Sequence, residues 1–252
     1  MQNEVPKRVI VKVGSSVLLK ADQESLDTGQ FAKIAKDIAW LKSEHGTEVM
    51  VMSSGALAAG RNALAADNKP EMCIQDTVLG AVGQVEVSNA WRSAFRQSSL
   101  AIGQLLLSPE TVANHVVREC IESMFDLGIV PYANENIPTF TSYDNDGLAA
   151  SLARAINCSC LVLLSDVEGV YTKNPSEFAD AELVSQISDV DEAIHRFGGG
   201  STSGVGTGGM LTKLKAAKLM HGIGAETIIA SGRGRQPIRS IFIDQAGTRV
   251  TG

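Results

Sequence analysis

The sequence predicts an α/β protein: a mainly parallel sheet held between two layers of helices. Three observations carry that prediction. Short β-branched runs alternate with helical patterns from one end of the chain to the other, as βαβ crossovers require. The first run, Arg8–Val13, is apolar almost throughout, as a strand buried on both faces is. Small and polar residues gather where the runs end, at Gly14-Ser15-Ser16, Ser53-Ser54-Gly55, Asn134-Glu135-Asn136 and Ser165-Asp166. Ligands of open α/β sheets bind beyond the carboxyl ends of the strands. One such cluster reads equally well as an ordinary turn; four together describe one rim and one site.

The elements follow in order. Arg8–Val13 is a strand ending in Gly14. Thr28–His45 carries Phe31, Ile34, Ile38 and Leu41 at helical spacing and stops at Gly46. Glu48–Met52 is the second strand, followed after Ser53-Ser54-Gly55 by an alanine-rich helix. Ser99–Leu106 and Ile129–Ala133 repeat the strand signal, with a helix around Thr111–Leu127 between them. Leu148–Ile156 reads as helix and Cys160–Leu164 as strand. Asp189–Arg196 is a weaker helix and Met210–His221 a strong one, and Glu226–Ala230 and Ile238–Ile243 read as closing strands. No repeat or linker interrupts the pattern, so residues 1–252 are expected to form a single domain.

Composition narrows the function. The chain has 252 residues, 44% of them hydrophobic, with 28 acidic against 22 basic residues and a formal net charge of −6. Mean hydropathy is +0.06. An acidic balance argues against broad nucleic-acid binding, which leaves a basic footprint. Met1–Lys7 is polar, the next apolar run is broken by Lys12, and no apolar stretch is long enough to span a bilayer. A cytoplasmic protein with no membrane partner is expected. Of the four cysteines only Cys158 and Cys160 are close, and Cys-x-Cys suits no standard zinc site. They read as reduced thiols at a strand edge, and no metal-ligand set is expected. The histidines (His45, His115, His195, His221) fall within or at the ends of helices and form no catalytic pairing with Ser, Cys or Asp.

The chemistry sits in a few segments. Gly204-Val205-Gly206-Thr207-Gly208-Gly209-Met210-Leu211-Thr212-Lys213 is a glycine-rich loop running into a helix. Its backbone N–H groups and the helix start suit phosphate, and Lys213 sits one turn in. The order does not fit the P-loop G-x-x-x-x-G-K-[ST], so phosphoryl transfer of another lineage is implied. Lys12, inside an apolar run, is costly to bury without an anion, unless it lies on an edge strand and faces water; Gly14-Ser15-Ser16 beside it favours an anion. Asp144-Asn145-Asp146 precedes a helix; capping needs one of these groups, not all three. A carboxylate there could hold two lysines, and an amide could meet a substrate carboxylate or amine. Ser54-Gly55-Ala56 opens a helix whose N–H groups suit an anionic acceptor. Ser165–Pro175 reads as a strand end with a turn-rich excursion, either around a nucleotide base or as a plain surface hairpin.

Together these segments resemble the glutamate 5-kinases, a branch of the amino acid kinase family. The resemblance rests on Val11–Ser16, Ser53–Arg61, Ala81-Val82-Gly83-Gln84, Gly103–Leu107, Asn134-Glu135-Asn136, Asp144-Asn145-Asp146, Leu164–Tyr171 and Gly206–Lys213, which occur in the family's order over nearly the whole chain. It implies a three-layer αβα sandwich with about eight strands. It also implies transfer of phosphate from ATP, with Mg²⁺, to the γ-carboxylate of L-glutamate, the first step of proline biosynthesis. By the same resemblance Lys12 and Lys213 neutralise the transferring group and Asp146 orients them. Ser54, Gly55, Asn134 and Asn145 hold glutamate, and Lys12, Ser165, Asp166 and Thr207, Gly208, Gly209, Met210, Leu211, Thr212 and Lys213 bind ATP. A homo-oligomer, dimer or tetramer, and feedback by proline are implied as well.

Three features depart from the family pattern. Ile137 stands where the family places an Asp that contacts the glutamate ammonium. The loop 137–143 is short. The chain ends near Gly252, which implies a form without the C-terminal PUA domain. The first departure leaves a second reading open, the same chemistry on another small carboxylate or carbamate; a nucleotide-binding regulator without catalysis is a third.

Overall fold

The computed structural model describes residues 5–66, 75–139, 144–198 and 209–251. The elements in chain order are β1 (Arg8–Val13), α1 (Ser15–Leu18), α2 (Thr28–His45), β2 (Glu48–Met52), α3 (Ala56–Ala66), α4 (Asp76–Gln97), β3 (Ile102–Leu107), α5 (Pro109–Val112), α6 (His115–Asp126), β4 (Val130–Glu135), α7 (Asn145–Ala155), β5 (Cys160–Ser165), β6 (Val170–Tyr171), β7 (Leu183–Val184), β8 (Gln186–Ile187), α8 (Val190–Phe197), α9 (Met210–His221), β9 (Glu226–Ser231), α10 (Arg239–Ile243) and β10 (Thr248–Val250).

Eight strands form one sheet in the order β3-β4-β2-β1-β5-β9-β10-β8. It is parallel from β3 to β9, and β10 runs antiparallel to β9. The predicted αβα architecture is therefore present. The chain leaves β1 first towards β2 and β4 and later towards β5 and β9, so the sheet reverses its strand order beside β1. That is where an open α/β sheet places its binding crevice.

Burial on both faces explains the apolar strands. Val9, Val11, Val13 and Val162 face one core with Phe31, Ile34, Ile38 and Trp91 from α2 and α4. Ile10, Leu161 and Leu163 face the other, with Ala149, Leu152, Leu214 and Ala217 from α7 and α9. Because side chains alternate along a strand, Lys12 shares the face of Ile10, under α7 and α9. α3 and α4 pack closely because of two glycines: a Cβ on Gly83 would collide with the Ala56 carbonyl oxygen, and one on Gly60 with that of Leu79.

Several expectations need correction. The strand expected over Ser99–Leu106 begins only at Ile102, because Ser99 takes a left-handed turn (φ 58°) just after α4. The single helix expected over Thr111–Leu127 is two, since Asn114 accepts the Val116 N–H at 2.9 Å and starts α6 afresh. Ile238–Ile243 is not a strand. Asp37 on α2 accepts the N–H groups of Ile238 (2.9 Å) and Arg239 (3.1 Å), which satisfies a helix start. Ile238 and Ile241, three apart, both turn into the core. The last strand is Thr248–Val250, too short to show a pattern. The segment after Ser165 forms a small antiparallel pair, β6 with β7.

Cys158 and Cys160 are free and buried, and Cys158 lies just before β5 with its Sγ against the carbonyls of Arg8 and Cys160. Burial pushes the Cys158 thiol up to about 11. Cys73 lies outside the described residues. Among the described residues no helix is long and apolar enough to cross a membrane.

Candidate active site

The site is assembled at the carboxyl ends of β1, β2, β4 and β5 and the starts of α7 and α9. Asp144 caps α7, its Oδ1 accepting the Gly147 N–H at 2.9 Å. The bland role in Asp144-Asn145-Asp146 thus falls to the first residue, and the next two face inwards.

Asp146 is 1% exposed and lies between two lysines that are themselves buried. Lys12 Nζ is 2.6 Å from its Oδ1 and Lys213 Nζ is 3.2 Å from its Oδ2. Thr212 Oγ1, one residue before Lys213, lies 2.9 Å from Oδ2 and 2.8 Å from the Gly209 carbonyl, sharing one proton between them. Three segments distant in sequence therefore meet on one carboxylate. Burial by itself would raise the Asp146 carboxyl, but the Lys12 and Lys213 charges overrule it and hold the group well below the usual carboxylate range. Lys213 is lowered, first by burial and further by Lys12, with Asp146 opposing. Two buried ammonium groups thus face one carboxylate in a desolvated place. The chemistry that suits it is an anion with several acceptor oxygens, such as a phosphoryl group.

On one side of this triad lies a set of amides and hydroxyls. Asn145 Nδ2 lies 3.1 Å from the Ser53 carbonyl, 3.3 Å from Ser54 Oγ and 3.2 Å from Asn134 Oδ1. Gly55 follows with φ 97°, a conformation L side chains rarely adopt, and α3 begins at Ala56. Asn134, at the end of β4, donates to Gln84 Oε1 at 2.7 Å, and Gln84 donates to Tyr132 Oη at 2.7 Å. Trp91 Nε1 donates to Ser53 Oγ at 2.9 Å. Burial, only partly offset by hydrogen bonds from Ser88 and Gln84, pushes the Tyr132 hydroxyl up to about 12, so it stays protonated.

On the other side, Ser165 Oγ donates to Asp166 Oδ1 at 3.0 Å, and the exposed Asp166 acts electrostatically on Lys213. Gly209 starts α9 without a side-chain cap, leaving its first N–H groups towards the rim. Met210 packs on the core, and the partly exposed Leu211 lies beside Gly198 at the end of α8. Thr207 and Gly208, expected to bind nucleotide, lie outside the described residues, as do residues 140–143 of the short loop.

The structure thus brings together Lys12, Asp146, Thr212 and Lys213, and beside them Ser54, Asn134 and Asn145. Ile137 is 6% exposed and its side chain docks on Gly80 of α4, where a Cβ would approach it to 2.5 Å. Sequence reasoning gave no role to Ser53, Gln84, Trp91 or Tyr132. Ser53 carried a signal as part of the rim cluster Ser53-Ser54-Gly55, and Gln84 as a polar residue inside Ala81-Val82-Gly83-Gln84; Trp91 and Tyr132 carried none.

Comparison with known proteins gives the chain's family. A model of the Amino acid kinase family matches residues 7–231. Proteins named glutamate 5-kinase are similar along most of the chain. That of Vibrio vulnificus is 37% identical over 92% of this chain and 63% of its own length. That of Shewanella woodyi is 35% identical over 97% and 68%, and that of Chromobacterium violaceum 39% over 90% and 62%. The chain therefore spans somewhat under two thirds of the Vibrio and Chromobacterium relatives. Among solved structures, the carbamate kinase of Giardia lamblia bound to AMP-PNP superposes with TM-score 0.70 at 18% identity, covering 98% of this chain and 99% of that one. A UMP kinase of Bacillus anthracis gives TM-score 0.69 at 15% identity, covering 98% and 96%. These last two likenesses are of fold. With a matching family model over most of its length and this sheet and rim, the chain belongs to the amino acid kinase family.

Proposed function

We propose that the protein transfers the γ-phosphoryl group of ATP to the γ-carboxylate of L-glutamate, giving L-glutamyl 5-phosphate and ADP. The observation that carries this is the buried Lys12–Asp146–Lys213 triad, set between a subsite of amides and hydroxyls and an open helix start, in a chain 34–39% identical to proteins named glutamate 5-kinase.

A carboxylate oxygen of the acceptor attacks the γ-phosphorus, and the bond to the β–γ bridging oxygen breaks with its electron pair going to ADP. The acceptor is ionised at neutral pH, so no general base is needed. The protein's work is positioning and charge stabilisation. Lys12 and Lys213 meet the charge of the group in flight, and Asp146 keeps both ammonium groups aimed at one point. The first N–H groups of α9 and the Ser165–Asp166 turn hold the nucleotide. Ser54, Gly55, Asn134 and Asn145 hold the acceptor. Mg²⁺ would come with the triphosphate and neutralise it.

Ile137 favours a second reading, the same chemistry on another small carboxylate or carbamate, because an apolar side chain accepts nothing from an ammonium. Coupled ADP release over a panel of acids separates the two. Turnover of glutamate above all others supports the first; turnover of another acid and none of glutamate refutes it. Proline added to the same assay tests feedback, and light scattering tests homo-oligomer formation. The convergence of all three charged groups on one point argues against a regulator without catalysis, which has no use for it.

A further inference from the structure

Asn145 is the side chain where the acceptor subsite meets the triad, and its amide has an unequal environment. Its hydrogen bonds to the Ser53 carbonyl, Ser54 Oγ and Asn134 Oδ1 are all made by Nδ2, while Oδ1 is buried and without a hydrogen-bond partner among the described residues. Buried acceptors are nearly always satisfied, and an exception at a binding site asks for a donor from outside. The orientation of Asn145 is set from below. Its Nδ2 faces Asn134 Oδ1, which also accepts the Glu135 N–H at 2.8 Å. Asn134 shows an oxygen there because its own Nδ2 is turned to Gln84 Oε1. Gln84 shows Oε1 in turn because its Nε2 faces Tyr132 Oη at 2.7 Å and Ser88 Oγ at 3.1 Å. Each amide fixes the sense of the next.

We propose that Gln84 is a positioning residue of the acceptor subsite: it holds Asn134, and through it Asn145, so that Asn145 Oδ1 is kept for the ammonium of an amino-acid acceptor. The inference rests on the acceptor assignment above and deepens it. It also accounts for Ile137, whose side chain is spent on Gly80, one helical turn from Gln84 on the same face of α4. Recognition of the amine then falls to Asn145 rather than to position 137.

The relay predicts a change in selectivity, not merely in activity. The measured quantity is kcat/KM for L-glutamate relative to glutarate, which keeps both carboxylates and lacks the amine. A site that hydrogen-bonds a substrate group rejects the analogue lacking it, so the wild-type protein prefers glutamate. Gln84→Met removes Oε1 while keeping the volume. It loses the preference by about tenfold through KM for glutamate, with KM for ATP within about twofold, because the Glu135 N–H still holds Asn134 in part. Gln84→Glu, which can still accept from Asn134 Nδ2, recovers most of the preference. Tyr132→Phe leaves Gln84 anchored by Ser88 and keeps it, whatever it costs in stability. Equal losses for both acids in Gln84→Met, or no loss, overturn the proposal.

A readout without turnover keeps the two readings apart. In the ¹H–¹⁵N spectrum the Asn134 Nδ2 protons, which bond Gln84 Oε1, are protected from exchange in the wild-type protein and lose that protection in Gln84→Met, and the Asn145 Nδ2 resonances shift with them; unchanged protection at Asn134 or unmoved Asn145 resonances overturn the relay. If neither acid is phosphorylated by the wild-type protein, the glutamate assignment fails, and these spectra still decide the relay.

Discussion

Replacing Asp146 by Asn tests the central claim about the site with little change of shape. The carboxylate is 1% exposed and pairs with ammonium groups at 2.6 and 3.2 Å. At an effective dielectric of about 20, pairs at these distances attract by roughly 5–6 kcal/mol each before desolvation is subtracted. The net cost of removing one partner of a buried ion pair is about 3–5 kcal/mol, because the other charge is left uncompensated. In Asp146→Asn two ammonium groups are left, and Lys213, already lowered by burial, sheds its proton more readily. The protein should lose about 3–5 kcal/mol in urea unfolding and at least about a hundredfold in kcat, since the lysines are no longer aimed at one point. The pH dependence gives a second, sharper check. Asp146 has its folded pKa below the unfolded value near 4. Its contribution is fully present above that value and is lost as pH falls towards the lower folded one. The stability gap between wild type and Asp146→Asn should therefore be flat from about pH 5 to 8 and narrow below about pH 4. Urea titrations followed by circular dichroism, with ADP release in parallel, measure both. A variant within about 1 kcal/mol of wild type, or one that keeps a third of its turnover, would refute the argument that this carboxylate compensates and aims two buried charges.

Other substitutions follow from the same structure. Lys12→Met or Lys213→Met should lower kcat by about 10²–10³ while leaving a cooperative unfolding transition, since Asp146 keeps one partner; single-turnover kinetics would expose a merely structural role. Gly83→Ala drives a Cβ into the Ala56 carbonyl oxygen, and should cost about 1–3 kcal/mol or prevent folding, read as the urea midpoint. Asp37→Ala removes the cap of α10 and the partner of Arg239 at 3.2 Å; a loss of about 2–4 kcal/mol is expected, and hydrogen exchange should rise first in residues 238–243. Ile137→Asp should destabilise the protein rather than improve glutamate binding, because position 137 is packed on Gly80.

The elements most legible in the sequence were those whose cause is local. Met210–His221 forms a helix with the bounds its pattern gives, and Arg8–Val13 a strand, because periodicity and end signals act over a few residues. Ile238–Ile243 misled for the opposite reason: its helix depends on a carboxylate some two hundred residues earlier, Asp37, and no local pattern records that. Lys12 is conspicuous because a charge in a buried strand needs a partner, and the family resemblance points to Asp146 for that role.

What the sequence determined by itself is the alternation of strands and helices, the rim where they change over, and the residue types gathered there. Those follow from side-chain periodicity and from the backbone freedom of glycine, both properties of short stretches. Three-dimensional packing alone shows that Thr212 joins Lys12 and Lys213 on the Asp146 carboxylate, that Ile137 turns to Gly80, and that Gln84 stands beneath Asn134 and Asn145. Each of those depends on crossovers that bring together residues tens to hundreds of positions apart. The electrostatic consequences, a carboxyl driven down and a lysine lowered, exist only once burial has removed the water between them.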